Sequence, residues 1–322
     1  MKIAVFGAGG VGTFYGGLLA RAGRDVHFVA RGAQLEALRT RGLHISSRAL
    51  GEIDVPPVRA TDRAAAIGHA DLVLVAVKAH QTAGILDDLA TLAGDDTILM
   101  ALQNGVESDE LLAARFGEQR VAGAVVYVGA TLEQPGVVRH VAAGTLVIGD
   151  RGAVGPERIA RVRDALASTG LPVHVTSDLE RQRWHKLAWN ASFNAVSALT
   201  LRTSQDLLAT PAARELLIGV MREVVAVARA RGVSLGEADI EQLVAATEKA
   251  APIRTSMLVD RERGRPLETD ALVGVILRKG REAGVATPIA STLYALLAAI
   301  AAEDSVTPDL PPMEAGSFSP QA

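Results

Sequence analysis

A glycine-rich turn at the start of the chain constrains its fold more than any other feature. Gly7-Ala8-Gly9-Gly10-Val11-Gly12 follows the apolar run Ile3-Ala4-Val5-Phe6 directly and opens a helical pattern from Phe14 to Ala20. A strand feeding a G-x-G-x-x-G turn and then a helix is the opening of a dinucleotide-binding unit. The first glycine permits the tight turn, the second lets a pyrophosphate approach the backbone, and the third lets the helix pack closely on the strand. Amides at the start of the helix are free to hold phosphate. The alternative is a glycine-rich turn with no ligand, and the strand–turn–helix context argues against it.

The end of the second strand selects the dinucleotide. NAD sites place an acid about 20 residues beyond the glycines to bind the ribose 2′-hydroxyl. Here the strand Asp25–Ala30 runs into Arg31-Gly32, and no acid occupies 29–33. A guanidinium fork at Arg31 suits a 2′-phosphate, so NADP(H) is favoured over NAD.

Further strand patterns at Leu72–Val77 and Thr97–Leu102 alternate with helical stretches at 11–22, 33–41 and 81–92. Such alternation predicts a parallel sheet covered by helices on both faces. After about residue 120, Val121–Val128, Val137–Val141 and Leu146–Ile148 read as a hairpin-rich extension. Pro156–Ser168 reads as a helix and Pro172–Val175 as a last strand. From Asp178 the pattern is helical only, over 179–200, 211–231, 237–249, 270–284 and 288–302. The expectation is an α/β Rossmann-type domain over 1–177, an all-α domain over 178–303, and a flexible Pro-containing tail over 304–322.

Composition narrows the function. Basic and acidic counts of 33 and 36 leave a net charge of −3, which does not suit a nucleic-acid or membrane binder. With no cysteine and no HExxH pair, thiolate chemistry is excluded and no metal site is expected. No run reaches a membrane span or a signal segment, so a cytoplasmic location is expected. Only five of the 33 basic residues are lysines. Coding bias explains the scarcity, yet two of the five fall at telling places. Lys78 closes the third strand, in Val77-Lys78-Ala79. Lys186 lies in Trp184-His185-Lys186-Leu187-Ala188-Trp189-Asn190, where Lys186, Asn190 and Asn194 recur every four residues and share a helix face. Mid-helix asparagines are poor helix formers, so this stripe faces a cavity, a partner helix or solvent. Gln103-Asn104-Gly105 closes the fourth strand at the carboxyl edge where ligands bind in parallel sheets.

Together with Pro135-Gly136, Ser256-Met257-Leu258 and Arg265-Pro266-Leu267-Glu268-Thr269-Asp270, these motifs make the chain resemble the 2-dehydropantoate 2-reductase (ketopantoate reductase) family along nearly its whole length. The resemblance implies a Rossmann domain followed by a helical domain like that of 6-phosphogluconate dehydrogenase, with the active site between them. It implies NADPH-dependent reduction of the 2-oxo group of 2-dehydropantoate to (R)-pantoate, a step of pantothenate biosynthesis. Lys186 then corresponds to the proton donor, and Glu268 to the carboxylate beside the nicotinamide and that lysine. Asn190, Asn194 and Ser256 correspond to substrate ligands, and Asn104 to a contact of both substrate and cofactor. Besides Gly7, Ala8, Gly9, Gly10, Val11 and Gly12, cofactor contacts fall on Arg31, Lys78 and the Ala130 backbone. The helical domain offers apolar faces compatible with a homodimer.

This sequence departs from the family pattern on the substrate side. Ala271 and Val273 stand where the family commonly has an aromatic and an amide, Ile253 where it has an asparagine, and Ser204 where another asparagine can occur. A related reductase of a different 2-oxo acid is therefore an alternative. A non-catalytic NADPH-binding regulator would have no need of Lys186 and Glu268. A β-hydroxy-acid or opine dehydrogenase shares the two-domain plan, but the Gly-rich, Ser-containing segment of the former is absent near 115–130.

Overall fold

The computed structural model describes residues 1–303; the expected tail over 304–322 lies outside the described residues. Ten strands form one sheet: β1 (Lys2–Phe6), β2 (Asp25–Val29), β3 (Leu43–Ser47), β4 (Gly51–Val55), β5 (Arg59–Thr61), β6 (Ala70–Val75), β7 (Ala93–Ala101), β8 (Val121–Gln134), β9 (Val137–Asp150) and β10 (Val173–Thr176). Their spatial order is β4-β3-β9-β8-β7-β6-β1-β2-β5, with β10 beside β9. All pairings are parallel except β3–β4 and β8–β9. Order runs outward from β1 in both directions, so a crevice opens at the carboxyl ends of β1 and β6, where the chain reverses.

The sheet is covered on both faces, and alternate strand residues show it. Ile3, Val5, Leu72, Leu74, Ile98 and Met100 belong to one apolar core; Ala4, Phe6, Val73, Val75, Leu99 and Ala101 belong to another. The first core is closed by helices α1 (Gly10–Arg21) and, beyond α2 (Gly32–Thr40), α5 (Pro156–Ala167). The second is closed by α3 (Leu86–Ala90) and α4 (Ser108–Phe116). Period-2 side chains with both faces buried give the near-continuous apolar runs seen in the sequence.

Beyond Thr176 the described residues contain no strand. The helical part comprises α6 (Leu179–Trp189), α7 (Ala195–Thr200), α8 (Ser204–Ala209), α9 (Pro211–Ala230), α10 (Glu237–Lys249), α11 (Ser256–Glu262), α12 (Val275–Ala283) and α13 (Pro288–Glu303). Its own apolar core includes Trp184, Phe193, Met221, Val224, Ile276 and Leu293, joined by Val106 from the sheet half. The chain thus has an α/β N-terminal domain and a helical C-terminal domain.

Several elements differ from expectation. Strands β3, β4 and β5 and helices α4, α8 and α11 had no sequence forecast. They are short, and α4 carries Ser108, Asp109 and Glu110 in a first turn that reads as polar loop. The stretch 81–92 is two 3₁₀ turns followed by the five-residue α3. Val137–Val141 and Leu146–Ile148 are one strand of 14 residues, bulged where Ala143 and Gly144 take positive φ. The helix expected over 179–200 contains a π turn at Asn190–Asn194, and the one over 270–284 starts with another at Asp270–Gly274. In the first, the Ser192 hydroxyl donates to the carbonyls of Ala188 (2.8 Å) and Trp189 (3.0 Å), giving the widened turn local partners.

Candidate active site

The glycine turn leaves β1 with Gly7 at φ +103°, a conformation that disfavours a side chain, and any Cβ there would also strike the backbone of Val77 at 2.7 Å. Gly12 lies against that turn: a Cβ at this position would sit 2.0 Å from the Gly7 carbonyl. Around Gly9 the space is open to 4 Å. Gly9 precedes α1 without a side-chain cap, and the first turn of α1 has no acid. The amides of Gly10, Val11 and Gly12 therefore have neither a carbonyl one turn back nor a capping side chain. Uncapped amides beside an open glycine, with no competing carboxylate, suit a dinucleotide pyrophosphate. Ala130, on β8, packs against this helix start, and a Cβ on Gly10 would sit 2.3 Å from its carbonyl oxygen. Gly10 is thus a close-packing position, a role the motif reading did not assign to it. Arg31 precedes α2 at the carboxyl end of β2; it is exposed and, among the described residues, its guanidinium forms no hydrogen bond or ion pair.

A second group gathers where the two domains meet. Lys186 Nζ donates to Asn104 Oδ1 (2.9 Å) and to the Val126 carbonyl (2.6 Å), and lies 5.7 Å from the centre of the Tyr127 ring. Asn190 Nδ2 reaches the same Asn104 oxygen at 3.4 Å. Asn104 Nδ2 in turn donates to Glu268 Oε2 at 3.2 Å. That Glu268 oxygen also accepts from Lys78 Nζ at 3.2 Å, while Lys78 donates to Asp260 Oδ2 at 2.8 Å. Lys78 therefore reaches across to two carboxylates of the helical domain. A narrow recess lies beside Asn104, Lys186 and Asn190, with Gln103, Ala124 and Arg183 in its wall. A broader, open cleft at Arg181, Arg229 and the Gly232–Gly236 loop contains none of these residues.

The stripe of three polar residues is divided by the π turn. Lys186 and Asn190 meet Asn104, whereas Asn194 Nδ2 faces the exposed Ser256 hydroxyl at 3.4 Å. Asn194 Oδ1 is buried without a hydrogen-bond partner among the described residues. An orphaned buried acceptor carries a desolvation cost that a ligand donor would relieve.

Electrostatics sets the protonation of the lysines. Burial pushes the Lys186 ammonium down to about 8; the Glu268 carboxylate opposes that fall and the Arg183 guanidinium adds to it. Burial also works against the Lys78 charge, but Glu268 and Asp260 outweigh it and hold its pKa above the ordinary value. Arg183, one turn before Lys186, pairs with Asp109 at 2.7 Å, and both side chains are almost fully buried. Burial raises the Asp109 carboxyl against the pull of Arg183 and Arg151. The sequence reading missed Arg183, Asp109 and Asp260. The first and last carried a usable signal, lying three residues before Lys186 and four after Ser256, the spacings of one helix face.

At the positions where the sequence is expected to depart from the family pattern, Val273 is buried in the helical core and the Ala271 carbonyl faces Gly105. The Ile253 amide donates to the buried Ser204 hydroxyl at 3.0 Å. No helix among the described residues is long and apolar enough to cross a membrane.

Comparison with known proteins places this arrangement. Residues 3–153 match the family model of ketopantoate reductase PanE/ApbA, and residues 178–301 match that of its C-terminal part. A 2-dehydropantoate 2-reductase of Mesorhizobium japonicum is 36% identical, over 94% of this chain and 98% of its own. A crystal structure of 2-dehydropantoate 2-reductase from Geobacter metallireducens superposes with a TM-score of 0.89 at 34% identity, covering 93% of this chain and 99% of the other. A ternary structure of D-mandelate dehydrogenase with NADH and anilino(oxo)acetate shares the fold, with a TM-score of 0.88 at 23% identity over 95% of this chain and 100% of the other. The chain belongs to the ketopantoate reductase family of oxidoreductases.

Proposed function

We propose that this chain reduces the 2-oxo group of 2-dehydropantoate to (R)-pantoate with NADPH. In this reading the 1–177 domain holds the dinucleotide and the 178–303 domain supplies the substrate groups. The observation that carries it is Lys186: an ammonium lowered to about 8, hydrogen-bonded to Asn104 at the domain junction. When bound, the nicotinamide supplies a hydride from its C4 to the substrate C2. The carbonyl electron pair moves onto oxygen, and the Lys186 ammonium stabilises that charge and then gives its proton to it. Lys186 is left neutral and is recharged from solvent.

The remaining residues orient and bind. Asn104, Asn190 and Asn194 fix the substrate without neutralising the lysine's field. The Ser256 hydroxyl faces the substrate carboxylate, and Glu268 holds Asn104 in place. Gly7–Gly12 and the Ala130 backbone shape the pyrophosphate site, and the unpaired Arg31 is free to take a 2′-phosphate. A homodimer fits the helical domain, and a relative from Staphylococcus aureus is described as dimeric.

NADPH oxidation with 2-dehydropantoate tests this reading: robust turnover by the wild type, lost in Lys186→Ala while NADPH binding persists, is expected. Near wild-type kcat in Lys186→Ala removes the lysine from the mechanism. Ala271, Val273 and Ile253 offer no side-chain amide or aromatic ring, which favours a second reading in which another 2-oxo acid is the substrate. A panel of 2-oxo acids ranked by kcat/KM separates the two.

A further inference from the structure

We propose that Asp260 is a positioning residue for the proton-donating lysine: by sharing the Lys78 ammonium, its carboxylate leaves Glu268 as a net negative neighbour of Lys186. The inference rests on the role given above to Lys186, and its argument is geometric. Asp260 is buried and touches neither the recess nor Lys186. Its Oδ2 takes the shorter of the two Lys78 bonds, 2.8 Å against 3.2 Å to Glu268. The Glu268 oxygen that takes the longer bond also accepts from Asn104, which accepts from Lys186. Charges therefore alternate along a continuous path: Asp260 negative, Lys78 positive, Glu268 negative, Lys186 positive.

Two buried carboxylates and two ammoniums balance. The guanidinium of Arg265, half exposed and 4.0 Å from Asp260, adds little. Without the Asp260 charge, Lys78 belongs to Glu268 alone and cancels its field. Lys186 would then face only the repulsion of Arg183, itself paired with Asp109, together with the Val126 carbonyl and the uncharged Tyr127 ring. With Asp260 present, proton transfer leaves a net negative cluster around a neutral Lys186, which favours its recharging. The Asp260 backbone carbonyl also accepts from the Arg265 amide at 2.8 Å, tethering the loop that leads to Glu268. A side-chain substitution leaves that tether in place.

The test is Asp260→Asn, which keeps an acceptor for Lys78 and removes the charge, with Asp260→Glu as the charge-preserving control. The titration of Lys186 is followed by the pH dependence of its carbamylation by cyanate, read by peptide mass spectrometry, and by pH profiles of reduction and of the reverse oxidation. Asp260→Asn is expected to lower the Lys186 titration by roughly half a unit to one unit. Reduction then loses most above neutrality and oxidation gains there, while Asp260→Glu behaves as wild type. An unchanged Lys186 titration in Asp260→Asn, with both directions slowed equally at every pH, overturns the proposal. Because labelling needs no substrate, a wild type inactive on 2-oxo acids defeats the functional reading separately.

Discussion

At the glycine turn, six consecutive residues supply the turn, the close helix contact and the free amides. At the domain junction, the polar side chains arrive from separate segments. Lys78 follows β6, Asn104 follows β7, Lys186 and Asn190 stand on α6, Asp260 on α11 and Glu268 beyond it. The first region is made of backbone, and its geometry is fixed by steric limits within one loop. The second is made of long side chains whose positions depend on how two domains meet. Backbone sites tolerate little change of shape and carry a recognisable spacing. Side-chain sites tolerate substitution at individual positions.

The largest effect that separates the two regions is expected from Lys186→Ala. It should cost kcat roughly 10²–10⁴-fold in steady-state assays. NADPH affinity, measured by fluorescence titration, should change little because the glycine turn is untouched. A matching loss of NADPH affinity would show that the two regions are one unit.

Two alanine substitutions in the turn should divide in the opposite sense. In Gly12→Ala the new methyl strikes the Gly7 carbonyl, and denaturation should show a loss of about 1–3 kcal/mol. In Gly9→Ala the methyl meets nothing, at a φ of −77° that alanine accepts, so Tm should hold. NADPH binding should nonetheless weaken, because the methyl fills the space left for the pyrophosphate. Equal stability losses would break the distinction between packing and ligand-facing glycines.

Arg31→Ala should raise KM for NADPH by about tenfold or more, with KM for NADH nearly unchanged, as expected for a lost charge-assisted contact to a 2′-phosphate. Equal changes for both dinucleotides would remove that role.

A smaller effect concerns stability. The folded-state pKa of Lys186, about 8, lies below its ordinary 10.5, so the fold resists the ammonium. That penalty is full below pH 8 and fades as pH rises toward 10.5. Lys186→Met should therefore stabilise the protein by roughly 1–2 kcal/mol below pH 8, an amount reduced by the partial exposure of the side chain. The gain should shrink in more alkaline buffer; a gain independent of pH would point to packing rather than charge.

Much of this architecture is legible in the sequence. The strand–glycine–helix opening, the alternation up to Thr176 and the helical run beyond it follow from short-range rules: apolar period, glycine placement and turn residues. Strands β3, β4 and β5 were not legible, because half-buried five- and three-residue strands leave too short an alternation to stand out from loops. The π turns were also hidden. A widened turn changes no residue type, and at its end Asn194 faces Ser256.

By itself the sequence determined the fold class, the place of the glycine turn and the polar residues with no structural reason to stand mid-helix. Tertiary structure decided which of those residues touch. It joined Lys78 to Asp260 and Glu268, residues 182 and 190 positions away, and buried Arg183 against Asp109 beneath Lys186. The reason is range: hydrogen-bond and steric rules act over a few residues of chain, whereas an ammonium's pKa depends on every charge and every layer of packing that the closed fold brings around it.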